Sequence, residues 1–276
     1  MSTAGLQPDA AWLAALRERA SLPPRAPREP LWAGGVRIGS VEVGFLDEIA
    51  LQPSWMLREV LQKSEQIEDG TALAGWSLQG EINDALARLA DVLRATGRCG
   101  VWRDELLAVT DVQGRRVGLV ERGVVRPLGI TTHAVHLVGR NPLGHHWVQQ
   151  RSLTKANDPG LWDTLMGGMV SAADTLEQAL ARETWEEAGL RLAQLQGVRA
   201  GGRVTIRRPS PDGLGSGYME EHIDWFTGVV PYGVVPVNQD GEVAQFACVP
   251  PAEMLARLQR DAFTLEAALI TCAAGL

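Results

Sequence analysis

The sequence predicts an α/β protein in two parts, a smaller α+β region up to residue 129 and a larger region of strands and helices over residues 130–276. A chain of 276 residues exceeds the usual size of one compact core, so two domains are expected. Hydrophobic residues make up 45% of the chain and charged residues 21%, which is typical of a folded globular protein. Helix-like and strand-like segments follow one another in both parts.

The charge balance restricts the partners of this chain. A formal net charge of −7 argues against general nucleic-acid binding, because binding the phosphate backbone requires a basic surface. An anionic small-molecule substrate must therefore be held by local arginines and lysines, or by a bound cation.

The cysteines and the hydropathy pattern indicate the cellular compartment in which the protein is expected. Cys99, Cys248 and Cys272 are far apart and odd in number, so they predict neither a disulfide framework nor a ligand pair. The first residues have no basic start followed by an apolar run, and no stretch of eighteen apolar residues occurs. We expect a cytoplasmic protein without a membrane segment.

In the first region, periodicity predicts a helix over Asp9 to Arg19, an exposed Pro/Arg-rich connector, short strands broken around Gly39-Ser40, and a helix from about Asp47 to Gln62. A further helix is predicted to have an apolar face formed by Ile82, Leu86, Leu89 and Leu93. Gly97 is expected to end it. LLAVTDV and VGLVE on either side of QGRR predict a β-hairpin.

In the second region, THAVHLVG and HHWVQQRS alternate as strands and are joined by a turn, which again predicts a hairpin. A polar loop, Thr154 to Leu161, precedes DTLMGGMV and a helix. Three more strand-like segments, VRAGGRVTI, EHIDWFTGVV and VAQFACV, lead to a C-terminal helix from about Pro251.

The segment GMVSAADTLEQALARETWEEAGL, residues 168–190, carries the chemistry. Asp174 is the expected N-cap of its helix, with Glu177 completing a capping box, and Gly189 is the expected C-terminal glycine. Glu183 and Glu187 are four residues apart, with Glu186 between them at i+3, so three carboxylates share one helix face. A solvated acidic face is the ordinary meaning of such a charge run.

A hard divalent ion such as Mg²⁺ relieves the repulsion among clustered carboxylates, because it prefers oxygen ligands. Such an ion suits diphosphate chemistry, since it neutralises phosphate charge and acidifies a bound water. Gly167 and Gly168 allow the backbone to approach a ligand closely, and Arg182 is placed to orient the glutamates by bidentate pairing.

The full spacing decides in favour of catalysis. Residues 168–190 resemble the Nudix box, Gly-x5-Glu-x7-Arg-Glu-U-x-Glu-Glu-x-Gly-U, where U is apolar. A match over twenty-three positions is far more specific than a lone glycine motif. Two positions depart from the family pattern: Asp174 stands where the family has glutamate, and Thr184 where it has an aliphatic residue. Neither departure changes one of the three metal-binding glutamates.

The resemblance extends along most of the chain, from about Val36 onward. RSLTKANDPGLWD, GVWRDELLAV, VERGVVRPLGI, VNQDGEVAQF and FTLEAALI are similar to a narrower Nudix branch, which in some eukaryotes is fused to thiamine pyrophosphokinase. Membership of that branch implies hydrolysis of thiamine diphosphate, or of its oxidised and toxic analogues, to the monophosphate.

The resemblance also implies a fold and a metal site. It implies a Nudix α/β/α sandwich around a mixed sheet for residues 130–276, and Mg²⁺ or Mn²⁺ held by Glu183, Glu186 and Glu187. A further carboxylate often completes such sites. Glu221 is the candidate ligand and Glu242 the candidate catalytic carboxylate, and an ordinary surface position is the alternative for both.

The substrate-binding candidates lie around the motif and in the first region. Arg151 and Lys155 are placed to hold the diphosphate, with ordinary surface charge as the alternative. The first region is expected to close one wall of the organic part of the site, since pockets often form between domains. There Trp102 offers an aromatic face for a cationic thiazolium, with a structural corner at WRDE as the alternative.

Two other functions remain open. An isomerase of the isopentenyl diphosphate type shares the fold but uses a cysteine in the pocket as an acid, and no cysteine here lies near the metal-binding segments. A ligand sensor without activity would be expected to lack box glutamates, and all three are present. A homodimer is compatible with the family, although no residue pattern predicts one.

Overall fold

The computed structural model describes residues 7–50 and 59–276. Its first part contains three helices and six strands: α1 Ala10–Arg19, β1 Arg28–Ala33, β2 Val36–Glu42, α2 Phe45–Ala50, β3 Leu61–Glu68, β4 Thr71–Leu78, α3 Ile82–Ala95, β5 Leu106–Thr110 and β6 Arg116–Glu121. One mixed sheet has the order β2-β1-β4-β3, with β1 and β4 parallel, and β5 and β6 form a separate antiparallel pair. The predicted β5–β6 hairpin is confirmed.

The second part is built on one larger sheet. Its elements are β7 Thr132–Arg140, β8 His146–Arg151, β9 Trp162–Asp163, β10 Met166–Met169, α4 Leu176–Ala188, β11 Gln196–Ser210, β12 Gly217–Val229, β13 Val243–Val249, α5 Pro251–Leu258 and α6 Leu265–Ala274. The strand order is β11-β12-β7-β8-β13, and β10 and β9 pair with β7 and β8. Since β12 runs parallel to β7 and the other pairs are antiparallel, the sheet is mixed, as predicted.

Helices cover both faces of this sheet, because β7 alternates its apolar side chains between them. Ala134 and Val138 belong to the core that includes Ile270 of α6. Leu137, on the opposite face, belongs to the core that includes Leu180 of α4. The predicted α/β/α arrangement is therefore confirmed, and it fixes α4 against the strands that carry the glycine pair.

The first part has its own core beneath α3. Leu86, Leu89 and Leu93 are fully buried there, which confirms the predicted apolar face, and Gly97 follows the helix with a φ of 67°. Between α3 and the β-strands, this core extends to Met169 at the end of β10. The two regions therefore share apolar packing at the strand that leads into the motif.

Three sequence predictions for the first part are wrong in detail. The strand predicted to break at Gly39-Ser40 is continuous. Glycine is needed there for close packing, because a Cβ on Gly39 would lie 2.4 Å from the Leu128 carbonyl oxygen. The helix predicted to reach Gln62 begins at Phe45, whereas Leu61 and Gln62 pair with β4. Residues 51–58 lie outside the described part of the chain.

The third correction concerns the Pro/Arg-rich connector. Its last residues, Arg28 to Pro30, form the start of β1, and Ser21 makes an isolated bridge to Arg207 of β11. Prolines hold the segment extended, and an extended backbone pairs readily with a strand. As a result α1 lies on the second region, where Leu16 is fully buried beside α5 and α6.

The C-terminal segment forms two helices, α5 and α6, where a single helix is predicted; Asp261 between them has a positive φ of 52°. Across residues 7–50 and 59–276, none of the helices is both long enough and apolar enough to span a membrane.

The β5–β6 hairpin is bound to the loop that leads into α4. The Ala172 amide donates to the Leu106 carbonyl at 2.9 Å, and the Arg116 guanidinium donates to the Ala172 carbonyl at 2.8 Å. The first region is thereby attached next to the start of the motif helix.

Candidate active site

The motif helix α4 is capped at both ends by its own sequence. The Thr175 hydroxyl accepts a hydrogen bond from the Gln178 amide, and the Gln178 side chain accepts one from the Thr175 amide. At the other end Gly189 is left-handed with a φ of 63°, as predicted. The predicted cap at Asp174 with Glu177 is wrong by one residue, because Thr175 makes the capping box and the Asp174 carboxylate is held elsewhere.

Asp174 instead pairs with Arg182, which contacts three acidic residues of the motif. The Arg182 Nε lies 2.8 Å from the Asp174 carboxylate, and its Nη1 lies 2.9 Å from Glu183 and 3.0 Å from Glu186. Its Nη2 donates to the Met169 carbonyl at 3.3 Å. Arg182 therefore holds Asp174, Glu183 and Glu186 together through direct ion pairs.

These contacts separate the roles of two adjacent residues. Thr175→Ala is expected to lower the free energy of unfolding by about 0.5–2 kcal/mol, because the cap is lost, while kcat changes little. Asp174→Asn is expected to leave the melting temperature nearly unchanged but to lower activity, because Arg182 loses a charged partner. Thermal melts and steady-state kinetics on both variants check this. Equal loss of stability in the two variants would contradict the assignment of the cap to Thr175.

The glycine pair on β10 allows two side chains to approach the backbone. A Cβ on Gly168 would lie 2.1 Å from the Glu183 carboxyl carbon, and a Cβ on Gly167 would lie 2.3 Å from the His136 ring. These contacts require glycine at both positions and place Gly168 against the motif glutamate Glu183.

Glu187 is the most deeply buried of the motif glutamates, with 2% of its surface exposed. Its Oε2 accepts hydrogen bonds from the Gln149 side chain at 2.7 Å and from the Gly167 amide at 3.0 Å, and Lys155 Nζ lies 3.8 Å from Oε1. Burial raises the pKa of the Glu187 carboxyl to about 8, although Lys155 acts in the opposite direction.

Glu183 lies one turn earlier and is also largely buried. Burial raises the pKa of its carboxyl to about 6, even though the charge and hydrogen bond of Arg182 act to lower it. Glu186, by contrast, is half exposed and contacts Arg182 only at the outer side of the helix. The three glutamates therefore differ in environment, with Glu183 and Glu187 facing inward.

The donor chemistry fits a hard divalent cation. Within the described ranges, no three acidic, histidine or cysteine side chains are arranged as a ready metal site, because Arg182 and Lys155 supply the positive charge between the carboxylates. Buried carboxylates with raised pKa values are stabilised as anions when a cation lies beside them. Carboxylate oxygens and a glycine backbone form the kind of donor set that Mg²⁺ or Mn²⁺ accepts.

Lys155 connects the motif to the loop before β13. Its ammonium group forms an ion pair with Glu242. Burial raises the pKa of the Glu242 carboxyl, but the hydrogen bond and charge of Lys155 outweigh burial, so this pKa lies below its ordinary value. Glu242 is thus an anion beside the buried Glu187.

Arg151 lies at the end of β8. It donates to the Asn157 carbonyl at 3.0 Å, and its Nη1 lies 3.4 Å from the buried Asp163 carboxylate. Asp163 is also 3.6 Å from His136, whose pKa is lowered by burial. His136 forms a hydrogen bond of 2.9 Å with Thr164, so its ring is held within the sheet core.

A second group of charges surrounds Glu266 at the start of α6. Burial raises the pKa of its carboxyl to about 7, with Arg208 acting to lower it and Glu221 and Asp163 acting to raise it. Glu221 is 6% exposed and lies 3.5 Å from Arg126. The positive charge beside Glu221 in this structure is therefore the Arg126 guanidinium.

These groups line one cleft with a cavity volume of about 230 Å³. Eight of the residues singled out in the sequence border it: Arg151, Lys155, Gly167, Gly168, Glu183, Glu187, Glu221 and Glu242. Arg182 and Glu186 lie behind Glu183. Trp102 borders a different cleft, formed with α3, where Arg94 stacks on its ring at 4.3 Å.

Several cleft residues are absent from the predicted site. They are Asp163, Arg208 and Glu266 in the second region, and Arg122 and Arg126 in the first. Asp163, Glu266, Arg122 and Arg126 lie in segments that carry the branch resemblance, and this is the sequence signal that could have found them. Arg208 carries no such signal, and neither does Gln149, which does not border the cleft but donates to Glu187.

Comparison with known proteins identifies the class. The model of the NUDIX domain matches residues 131–269, which is half of the chain. The chain therefore belongs to the Nudix family. The matched residues contain the glycine pair, α4 and every second-region residue of the cleft.

Three relatives show how far the similarity extends. An uncharacterised Nudix hydrolase of Pseudomonas aeruginosa is 39% identical over 92 residues, 33% of this chain and 54% of its own. Nudix hydrolase 20, chloroplastic, of Arabidopsis thaliana is 28% identical over 202 residues, 71% of this chain and 53% of its own. An isopentenyl-diphosphate Delta-isomerase of Streptomyces coelicolor is 31% identical over 160 residues, 58% of this chain and 78% of its own. The chain thus spans about half the length of the two hydrolases.

Proposed function

We propose that this protein is a metal-dependent hydrolase that cleaves a diphosphate link in a small organic substrate. The observation that carries the proposal is the position of Glu183 and Glu187, two buried motif carboxylates set against the glycine pair in a cleft that also presents Lys155. Family membership supports it, since residues 131–269 match the NUDIX domain.

Glu183, Glu186 and Glu187 would hold the divalent cation. When bound there, such an ion neutralises phosphate charge and increases the acidity of a coordinated water. Arg182 would keep two of these glutamates, Glu183 and Glu186, oriented through contacts of 2.9 and 3.0 Å, and it also holds Asp174 at 2.8 Å.

The remaining charged residues have separate tasks. Lys155 and Arg151 border the same cleft as the glycine pair and would attract the phosphate oxygens. Glu242, kept anionic by Lys155, is placed to accept the proton of the attacking water. Water adds to phosphorus, the bond from that phosphorus to the bridging oxygen breaks, and the products are an organic monophosphate and phosphate.

Within this class we propose thiamine diphosphate, or an oxidised analogue, as the substrate. The support is the sequence resemblance to the thiamine-related branch, which spans segments in both regions. The Arabidopsis relative, similar over 71% of this chain, is also named a Nudix hydrolase.

The isomerase alternative is favoured by the similarity to the Streptomyces enzyme. An isomerase of that kind requires a cysteine acid in its pocket. Cys99, Cys248 and Cys272 are the only cysteines of the sequence, all three are described, and none of them borders the cleft. The hydrolase therefore accounts better for the residues that are present.

A substrate panel separates these functions. We expect Mg²⁺-dependent conversion of thiamine diphosphate or its oxidised forms to the monophosphate, and no rearrangement of isopentenyl diphosphate. Excess EDTA is the control for the metal, and Glu187→Gln is the control for a contaminating phosphatase. Rearrangement of isopentenyl diphosphate would establish the isomerase, and binding without turnover of any diphosphate would establish a sensor.

A further inference from the structure

We propose that Arg103 and Arg122, which precede the NUDIX match, bind the diphosphate group of the substrate, so that the phosphate site is assembled from both regions of the chain. The inference rests on the proposed function of the cleft as a diphosphate site. Both arginines border the same cleft as Gly168, Glu183 and Lys155.

Both arginines line the cleft together with Glu183 and Glu242. The positive charge of Arg122 acts to lower the pKa of the carboxyls of Glu183 and Glu242, and the charge of Arg103 acts in the same way on Glu242. A phosphate group that contacts Lys155 in this cleft would therefore lie within the field of both guanidinium groups.

A buried carboxylate fixes the backbone that carries both arginines. Glu121 is 6% exposed, and its carboxylate accepts hydrogen bonds from the amides of Arg103 at 2.8 Å, Glu105 at 3.1 Å and Gly123 at 3.3 Å. These amides lie on both sides of the β5–β6 hairpin, so one buried anion holds the two arginine-bearing segments together. Such an arrangement gives preorganised binding groups.

The ion pairs of the cleft cations show how much of each cation is left for a ligand, and Lys155 and Arg151 would bind phosphate while they remain beside Glu242 and Asp163. Lys155, Arg151 and Arg126 already pair with carboxylates of the protein, namely Glu242, Asp163 and Glu221. Arg122 contacts Glu105 through Nη1 at 2.7 Å, and its other terminal nitrogen makes no hydrogen bond in the described part of the chain.

Arg103 is exposed, and its guanidinium has no carboxylate partner in residues 7–50 and 59–276. A planar guanidinium with free N–H groups matches two phosphate oxygens at once. Arg103 is therefore the more open of the two arginines, and Arg122 is the more firmly placed.

The experiment measures binding of imidodiphosphate, a non-hydrolysable diphosphate, by calorimetry in EDTA and again with Mg²⁺. Arg103→Gln, Arg122→Gln and the double variant are compared with Arg88→Gln, which removes an exposed arginine of α3 outside the cleft. We expect each cleft variant to raise Kd by roughly tenfold or more, the scale of a lost charged hydrogen bond. Arg88→Gln is expected to leave Kd unchanged.

Kinetics and a conservative variant complete the test. KM for the hydrolysed diphosphate is expected to rise in both cleft variants while the Mg²⁺ affinity stays constant, and Arg122→Lys is expected to restore part of the binding. Unchanged Kd and KM in a folded double variant would overturn the inference. If the wild type binds imidodiphosphate but hydrolyses no diphosphate, the proposed function fails while the role of the arginines in binding stands. If the wild type does not bind imidodiphosphate in either condition, the inference fails, whereas turnover of an organic diphosphate would leave the proposed function standing.

Discussion

Replacing Glu187 with glutamine is expected to lower kcat by roughly 100-fold or more, the scale of losing one preorganised charged group in an active site. The Glu187 carboxylate lies buried at the glycine pair, and the neutral amide that replaces it is a poor ligand for Mg²⁺. Glu186→Gln is expected to act in the same direction. Steady-state turnover of a diphosphate at saturating Mg²⁺ measures both effects.

The fold of this variant is expected to persist, because the glutamine oxygen can still accept from Gln149 and Gly167. Stability against pH provides the control. The pKa of Glu187 is about 8 in the folded protein and near 4.5 when unfolded, so metal-free wild type binds more protons folded and loses stability as pH rises from about 4.5 to 8. Glu187→Gln is expected to remove part of that loss in EDTA. Full activity with an unchanged pH profile would contradict the burial of a functional carboxylate here.

Gly168→Ala is expected to abolish most activity while leaving the protein folded. The added Cβ would lie 2.1 Å from the Glu183 carboxyl carbon, so this side chain must move away from β10. Glu183 is partly accessible and flexible, and its displacement costs little stability but removes a metal-binding group from the cleft. Thermal melts, turnover and Mn²⁺ binding measure the three consequences.

Gly167→Ala is the matched control, one residue earlier on the same strand. There the Cβ would meet the buried His136 ring at 2.3 Å, and overpacking in a core costs about 1–3 kcal/mol. We expect this variant to lose stability more than Gly168→Ala does. A Gly168→Ala protein with normal Mn²⁺ affinity and normal kcat would show that the contact between Gly168 and Glu183 has no part in catalysis.

The sequence predicts the parts of this molecule that depend on local spacing. The 3.6-residue period identifies α3 and α4, glycine identifies their ends, and the fixed spacing of the Nudix box brings Gly168 to Glu183. The strand alternation of the two hairpins is also local, and both hairpins form. These features are determined by neighbours in the chain, which is why residue patterns suffice.

Features that depend on contacts between residues distant in the sequence cannot be predicted from such residue patterns. Asp174 and Thr175 are adjacent and both able to cap a helix, and only the position of Arg182 shows which of them is engaged elsewhere. Pairing with β4 makes Leu61 and Gln62 part of a strand despite their helix-compatible sequence.

The cleft itself is the largest example of this limit. Arg122 is 61 residues before Glu183 in the sequence, and nothing in the spacing between them indicates a shared site. Trp102 shows the reverse case, since its aromatic character makes it a candidate and the structure places it against Arg94 beside α3. Side-chain type alone does not indicate which cleft a residue borders.

The most direct test of the hydrolase account is the fate of solvent oxygen. Thiamine diphosphate is incubated with the protein in ¹⁸O-labelled water, with Mg²⁺ or with excess EDTA, and the products are analysed by mass spectrometry. The account predicts monophosphate and phosphate in equal amounts, with one ¹⁸O atom in the phosphate, formed only with Mg²⁺ and nearly absent in Glu187→Gln. Label-free products, or equal turnover in EDTA and in the Glu187→Gln variant, would contradict hydrolysis at this cleft.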